Sequence, residues 1–267
     1  MHNVQMRLYE VRSTGELRSC ADDDTLVLWA AQGFGPGVRG WRRGDAVAVA
    51  SPGLSRRDRL AVHGPPDLVV PLVAEVLTEV GPTYRPIGSA ALVEAVAGQV
   101  PGLSLAGKGF GWMQTSRPSP SPRPDGAGWL ELGRSGLATT VTDLLAEAHP
   151  ESYATPGVPG VRRWAGAWAE TSEGRTLAAV AADAWSAPEV GYVAGVGARS
   201  ALRGRGYAAA AFGLVLDTLV AEHGRAGLMV ETANTAAVGL YRRCGLSWRP
   251  LAAAAVDGAP GCGPGAC

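Results

Sequence analysis

The sequence predicts an α/β protein built as two similar domains, and three observations carry that expectation. An apolar run at 190–198 leads through a glycine-rich basic turn into a long helical pattern, and a second apolar run follows at 228–232. Residues 1–112 show a comparable succession of strands, a hairpin and helices. Between them lies Q-T-S-R-P-S-P-S-P-R-P-D-G-A at 114–127, whose alternating prolines favour an extended spacer. The boundaries read as 1–113, a linker at 114–127, a second domain at 128–256 and a tail at 257–267.

The first domain is read from 26–31 as a buried strand. Segments 38–41 and 46–50 flank Arg42-Arg43-Gly44-Asp45, a hairpin signal. A further strand is expected at 59–62. Asp67 then caps a helix whose Val69, Leu72, Val73, Val76 and Leu77 share one face, with Pro71 in its first turn. Ser89 starts a second helix reaching Gln99, and 103–105 and 110–113 are expected as closing strands.

In the second domain a strand at 129–132 precedes a helix at 139–148 with Val141, Leu144, Leu145 and Ala148 apolar. A polar loop, His149-Pro150-Glu151-Ser152-Tyr153, comes next. Segments 163–170 and 175–184 form a hairpin around Glu173-Gly174. After the strand at 190–198, Phe212, Val215, Leu216, Leu219 and Val220 fall at the i, i+3, i+4, i+7, i+8 spacing of a helix stripe. His223 and Gly224 suit that helix's carboxyl end. Asn234 is placed to cap a short helix carrying Tyr241.

Composition narrows the function classes. The chain has 267 residues, 46% hydrophobic and 18% charged, so a packed core is expected. Its net charge is zero, which argues against broad attraction to nucleic acid or a membrane surface. Lys108 is the only lysine, and with the excess of Ala, Gly and Pro this reads as the codon bias of a GC-rich, bacterial genome. The start, M-H-N-V-Q-M-R-L-Y-E-V, lacks the apolar core of a leader, and no stretch approaches a membrane span, so a cytoplasmic protein is expected. Cys20, Cys244, Cys262 and Cys267 make no disulfide framework, and no His or second Cys pair completes a metal site beside Cys262 and Cys267.

The turn Arg203-Gly204-Arg205-Gly206-Tyr207-Ala208 is where chemistry concentrates. Glycines between a strand and a helix let backbone N–H groups converge on one concavity, to which the helix amino terminus adds partial positive charge. Arg203 and Arg205 add fixed charge suited to phosphate. It is not a Walker A loop, since no Gly-Lys-Ser/Thr follows, and it lacks the G-x-G-x-x-G spacing of a dinucleotide site.

These residues resemble the signature of the GNAT acyltransferase superfamily, R/Q-x-x-G-x-G/A, with Arg203, Gly206 and Ala208 at its defined positions. The family's second landmark, an Asn followed seven residues on by a Tyr and then a Gly, is matched by Asn234, Tyr241 and Gly245. Ser200 and Leu246 depart from the family's usual Pro and Phe. The resemblance implies a GNAT fold: a mixed, mostly antiparallel sheet flanked by helices, in α/β (α+β) arrangement. The amino-terminal half, with Gly64-Pro65-Pro66 where the basic turn would stand, is then a degenerate copy without its own acyl-CoA site, serving as support or as one wall of an acceptor pocket.

The resemblance further implies acetyl-CoA as cosubstrate and no metal. Val196, Gly197 and Ala198 would hold the pantetheine arm and polarise the thioester. Arg203, Gly204, Arg205, Gly206, Tyr207 and Ala208 would take the pyrophosphate. Asn234 would bond the pantetheine side and Tyr241 would protonate the departing thiolate. Glu189 is the first candidate base, with Glu151 the second; Glu151, Tyr153 and His149 are candidate substrate contacts. The expected reaction is transfer of an acetyl group to a primary amine of a small molecule or peptide. Two other readings stand beside it: a non-catalytic acyl-CoA sensor, and an enzyme of small-thiol biosynthesis acetylating a cysteinyl amine. No nucleic-acid or membrane partner is expected, and the oligomeric state is not read.

Overall fold

The computed structural model describes residues 7–120, 126–133, 136–172 and 174–259. Cys262 and Cys267 lie outside the described residues, as does Glu173 of the expected hairpin turn. Two compact units share the chain: one drawn from Met1–Trp112, Val230–Asn234 and Trp248–Cys267, the other from Met113–Met229 and Thr235–Ser247. Residues 230–234 and 248–259 thus group with residues 7–112.

In the first unit the strands follow the order β1 (Tyr9–Val11), β2 (Arg39–Arg43), β3 (Ala46–Leu54), β4 (Arg57–His63), β5 (Arg85–Ser89), β12 (Ser247–Val256), β6 (Leu103–Thr115). The hairpin β2–β3 pairs Arg43 with Ala46 across Gly44-Asp45, and Gly44 takes φ 58 there. Strands β4 and β5 run parallel, Arg59↔Arg85 to Ala61↔Ile87, joined by helix α3 (Pro66–Val80). Val69, Leu72, Val73 and Val76 of α3 are fully buried on the expected face, against Trp41, Leu60 and Val62. Fully burying each such side chain is worth about 1.5–3 kcal/mol.

Three expectations in this unit are corrected and one strand is added to them. After helix α1 (Thr14–Cys20), residues 26–31 are not a strand but most of helix α2 (Thr25–Ala31), every residue of which is buried. Asp24 caps it, its side chain accepting from the Leu26 and Val27 N–H groups. A short run that is apolar on every side looks the same in either geometry, so only the cap distinguishes them. Helix α3 starts at Pro66 with Pro65 as its cap, so Asp67 sits in the first turn rather than before it, and Pro71 lies inside the helix. The two closing strands are one, β6. Strand β5, R-P-I-G-S, was not expected; Pro86 and Gly88 mask it in sequence, and helix α4 (Ala90–Gln99) follows directly with Ser89 as cap.

The second unit orders its strands β11 (Ala226–Glu231), β10 (Gly191–Ala198), β9 (Gly174–Ala184), β8 (Val161–Thr171), β7 (Ala127–Leu130). Strands β8 and β9 pair antiparallel from Thr171↔Gly174 to Val161↔Ala184. Helix α5 (Leu137–Ala148) and the long helix α6 (Tyr207–His223) supply its helical cover, and helix α7 (Thr235–Arg243) carries Tyr241. Phe212, Val215, Leu216 and Leu219 of α6 are fully buried, as the stripe required. The alanines of β9 leave room for α6, and its approach to β10 is close: a Cβ on Gly191 would stand 2.5 Å from the Leu219 Cβ.

Candidate functional site

Strand β10 carries the site because it is irregular at one point. Its antiparallel pairing with β9 runs Val193↔Asp183 and Ala194↔Ala182, then shifts before Gly197↔Val180 and Ala198↔Ala179. Gly195 sits in that shift with φ +58, so the strand bulges there. The indole of Trp164 lies under the bulge: a Cβ on Gly195 would be 2.5 Å from Trp164 Cη2 and 3.3 Å from the Ala154 Cβ. On the other edge, β10 and β11 pair in parallel at Gly191↔Ala226 and Tyr192↔Gly227 only, among the described residues. Beyond those pairs Gly197 and Ala198 pair with β9 on one edge, and among the described residues neither they nor Val196 pair with β11 on the other. Gly197 is buried under α5, with Ala148 Cβ and Leu144 Cδ2 3.2 and 3.3 Å from the position a Cβ would take.

After β10 the chain turns through a single 3-10 turn, Ser200–Leu202, into the glycine pair. Gly204 has φ 75 and no atom within 4 Å of a notional Cβ, so its surroundings are open. Gly206 caps α6 with φ 88 and ψ −10 and has no side chain to bond the helix's first N–H groups. Arg203, Gly204, Arg205 and Gly206 are exposed, and Tyr207 and Ala208 half-buried. Open backbone donors, a helix amino terminus and two guanidinium groups therefore coincide. The Nε of Arg203 donates to the Ala198 carbonyl at 3.3 Å, which ties the turn to the end of β10.

The turn is also held from α5, by a residue the sequence did not single out. Glu147 accepts the Ser200 N–H at 2.6 Å and pairs with Arg199 Nη1 at 3.1 Å, while Arg199 Nε donates to the Leu177 carbonyl at 3.0 Å. The Ser200 N–H, with Arg199, holds the Glu147 carboxyl below its ordinary range despite some opposing desolvation. Nothing in the sequence flags Glu147, because its partners are a backbone N–H and an arginine 52 residues away.

Tyr241 is buried, with its ring centroid 4.7 Å from that of Phe212. Burial, with Tyr192 and Cys244 adding, pushes its hydroxyl well above the ordinary tyrosine value, so it carries its proton throughout the neutral range. Tyr192 itself is buried on β10, and its N–H donates to Ser186 Oγ at 2.8 Å. Asn234 is exposed, belongs to the first unit, and donates its N–H to the Glu231 carbonyl at 3.0 Å.

Not all candidates converge. Glu189 lies in the turn before β10, beside Pro188, whose carbonyl is 3.1 Å from Nδ1 of His223 at the carboxyl end of α6. Six residues of strand, about 20 Å, separate it from the bulge. The 17 residues of α6 span about 25 Å to the Gly206 turn. The structure therefore brings Val196–Ala198 and the 203–208 turn together and leaves Glu189 apart. In the 149–153 loop, Ser152 N–H donates to the His149 carbonyl at 3.0 Å; His149 and Glu151 are exposed and Tyr153 half-buried. The next residue, Ala154, touches the Gly195 bulge, so this loop does border β10 where acyl chemistry was expected. No group of three or more His, Cys, Asp or Glu with metal-binding geometry occurs among the described residues. None of their helices is long and apolar enough to cross a membrane.

Comparison with known proteins meets this geometry. Residues 138–246 match the model of the Acetyltransferase (GNAT) family. Among solved structures, an acetyltransferase of the GNAT family from Colwellia psychrerythraea is similar, with a TM-score of 0.52 at 13% identity over 93% of this chain and 99% of that one. A GCN5-related N-acetyltransferase from Kribbella flavida gives 0.51 at 18% identity over 80% and 87%. Another from Sphaerobacter thermophilus gives 0.50 at 16% over 92% and 94%. At such identities the likeness is one of fold: mixed α/β with a mostly antiparallel sheet flanked by helices. No curated protein sequence matches the chain.

Proposed function

We propose, from the match of residues 138–246 to the Acetyltransferase (GNAT) family model, that the protein transfers an acetyl group from acetyl-CoA to a primary amine by direct attack. The observation that carries this reading is the open turn at 203–208, where Gly204 and Gly206 hold left-handed backbone beside Arg203 and Arg205 at the start of α6. Such a turn suits a pyrophosphate. The edge of Val196, Gly197 and Ala198 away from β9 suits the amide groups of a pantetheine arm.

An N–H on that edge would polarise the thioester carbonyl, in the manner of an oxyanion hole. The amine nitrogen attacks the carbonyl carbon, a C–N bond forms, and the C–S bond breaks with its electron pair leaving on sulfur. Tyr241 gives its proton to that sulfur and regains one from solvent. The surplus proton of the amine departs to water, and Glu189, far along the strand, serves only as the distant end of such a chain. Glu151 and Tyr153, on the loop that borders the bulge, are assigned to the acceptor.

The second reading, acyl-CoA binding without turnover, draws on the burial of Tyr241 and on the distance of Glu189 from the bulge. Tyr241→Phe separates the two, because it keeps the ring on Phe212 and removes only the hydroxyl. Acid–base assistance is worth about 10²–10⁴-fold. The variant should release CoA more slowly by roughly that factor, in an acetyl-CoA assay over a panel of amines, with acetyl-CoA affinity unchanged. Equal rates in variant and parent would remove Tyr241 from the chemistry, and no release by the parent with any amine would favour the sensor.

A further inference from the structure

The first unit holds a cavity of about 500 Å³ that the acyl-transfer reading does not use. It opens at the carboxyl ends of the parallel strands β4 and β5, where His63 and Ser89 both line it. Crevices at that end of parallel strands are where α/β sheets bind ligands, and the volume lies within the range of small-molecule sites. All of its lining belongs to the first unit.

One wall is a built polar constellation. Asp24, its side chain 6% exposed, accepts from Arg249 Nη2 at 3.1 Å and from Nη1 of the same residue, and lies 3.4 Å from His63 Nδ1. Burial alone would push the Asp24 carboxyl up, but His63, Arg249 and the Val27 N–H together hold it well below the carboxylate range. An ionised Asp24 only accepts, so Nδ1 of His63 carries a hydrogen and faces it as a donor. Asp24 and Arg249 cancel each other.

What remains on the cavity lining is negative. Asp22 and Asp45 also face it, both exposed, and neither has an ion pair among the described residues. The anion-receptive features of the second unit are missing here. Pro65 and Pro66 stand at the start of α3, so two backbone donors that could meet a phosphate do not exist. Leu26, Val62 and Leu92 give the cavity apolar wall.

We propose that this cavity is a binding site for a small organic cation, an alkylammonium compound whose nitrogen meets the Asp22 and Asp45 carboxylates beside His63 and whose hydrocarbon part lies on Leu26, Val62 and Leu92. The amino-terminal unit is then a ligand-binding module in its own right, with a preference opposite in sign to that of the 203–208 turn. This does not depend on the acetyl-transfer reading.

The probe is n-hexylamine, titrated into the full chain labelled with ¹³C-histidine while the His63 ring signal, assigned through His63→Gln, is followed. Hexanoate and coenzyme A are the controls. A saturable shift of the His63 signal with hexylamine, and none with either control, is expected. The variant Asp22→Asn/Asp45→Asn alters only exposed side chains; it should keep the parent's circular dichroism and weaken hexylamine binding about tenfold or more. A His63 signal that does not move with hexylamine, or moves equally with hexanoate or coenzyme A, would overturn the proposal. So would a double variant that binds hexylamine as tightly as the parent.

Discussion

Replacing Gly195 by Ala tests whether the bulge in β10 is a built feature of the site. Two costs apply. The first is conformational: Gly195 sits at φ +58, where an L-residue pays about 1–2 kcal/mol. The second is steric: the new methyl would stand 2.5 Å from Trp164 Cη2 and 2.8 Å from Cζ3, in an indole that is 1% exposed and has no room to retreat. Overpacking of this kind costs roughly 1–3 kcal/mol. The sum is about 2–5 kcal/mol. Gly204→Ala provides the control, since it has a similar φ of +75 with nothing within 4 Å, so it bears the conformational cost alone. Urea unfolding of both variants should therefore put Gly195→Ala below Gly204→Ala by about 1–3 kcal/mol. Trp164→Phe in the Gly195→Ala background should return part of that difference, appearing as a favourable coupling in a double-mutant cycle. If the two alanine variants are equally stable, or the coupling is zero, the indole does not support the bulge and the reasoning fails.

Other expectations follow from the same contacts. Glu147→Ala removes the acceptor of the Ser200 N–H and the partner of Arg199; with the pair partly exposed, we expect about 1–2 kcal/mol of lost stability and a larger Kd for acetyl-CoA by calorimetry. Unchanged affinity would mean that the turn does not rely on α5. Asp24 has a folded pKa depressed below its unfolded value, so it contributes stability above about pH 4 that is lost as pH falls through the folded pKa. Acid unfolding followed by circular dichroism should therefore show the parent losing stability below about pH 4, and Asp24→Asn should be less stable at pH 7 with a shallower acid dependence. Parallel curves would contradict the ionised Asp24–Arg249 pair.

The long amphipathic elements were legible in the sequence. The α6 stripe from Phe212 to Val220 and the α3 face from Val69 to Val76 are buried as their spacing demands, because helices of this length carry enough repeats to show a period. The hairpin at Gly44-Asp45 announced itself through its turn residues. Shorter elements were not legible: α2 is seven residues apolar on all sides, and β5 hides behind Pro86 and Gly88. At the site, the glycine turn could be read because backbone demands leave a trace in residue type. The Gly195 bulge could not, since one glycine in an apolar strand looks like any other until Trp164, 31 positions earlier, is seen beneath it. The supports Glu147 and Asp24 act through long-range partners, Arg199 and Arg249, that local pattern does not reveal.

The most direct test of the central claim is calorimetric titration of the full chain with acetyl-CoA beside Gly206→Glu. That substitution sets a side chain and a negative charge at the φ 88 position where the pyrophosphate is assigned. We predict saturable binding by the parent and its loss in a variant that keeps the parent's circular dichroism spectrum. No binding by the parent, or equal binding by a folded Gly206→Glu, would contradict the account.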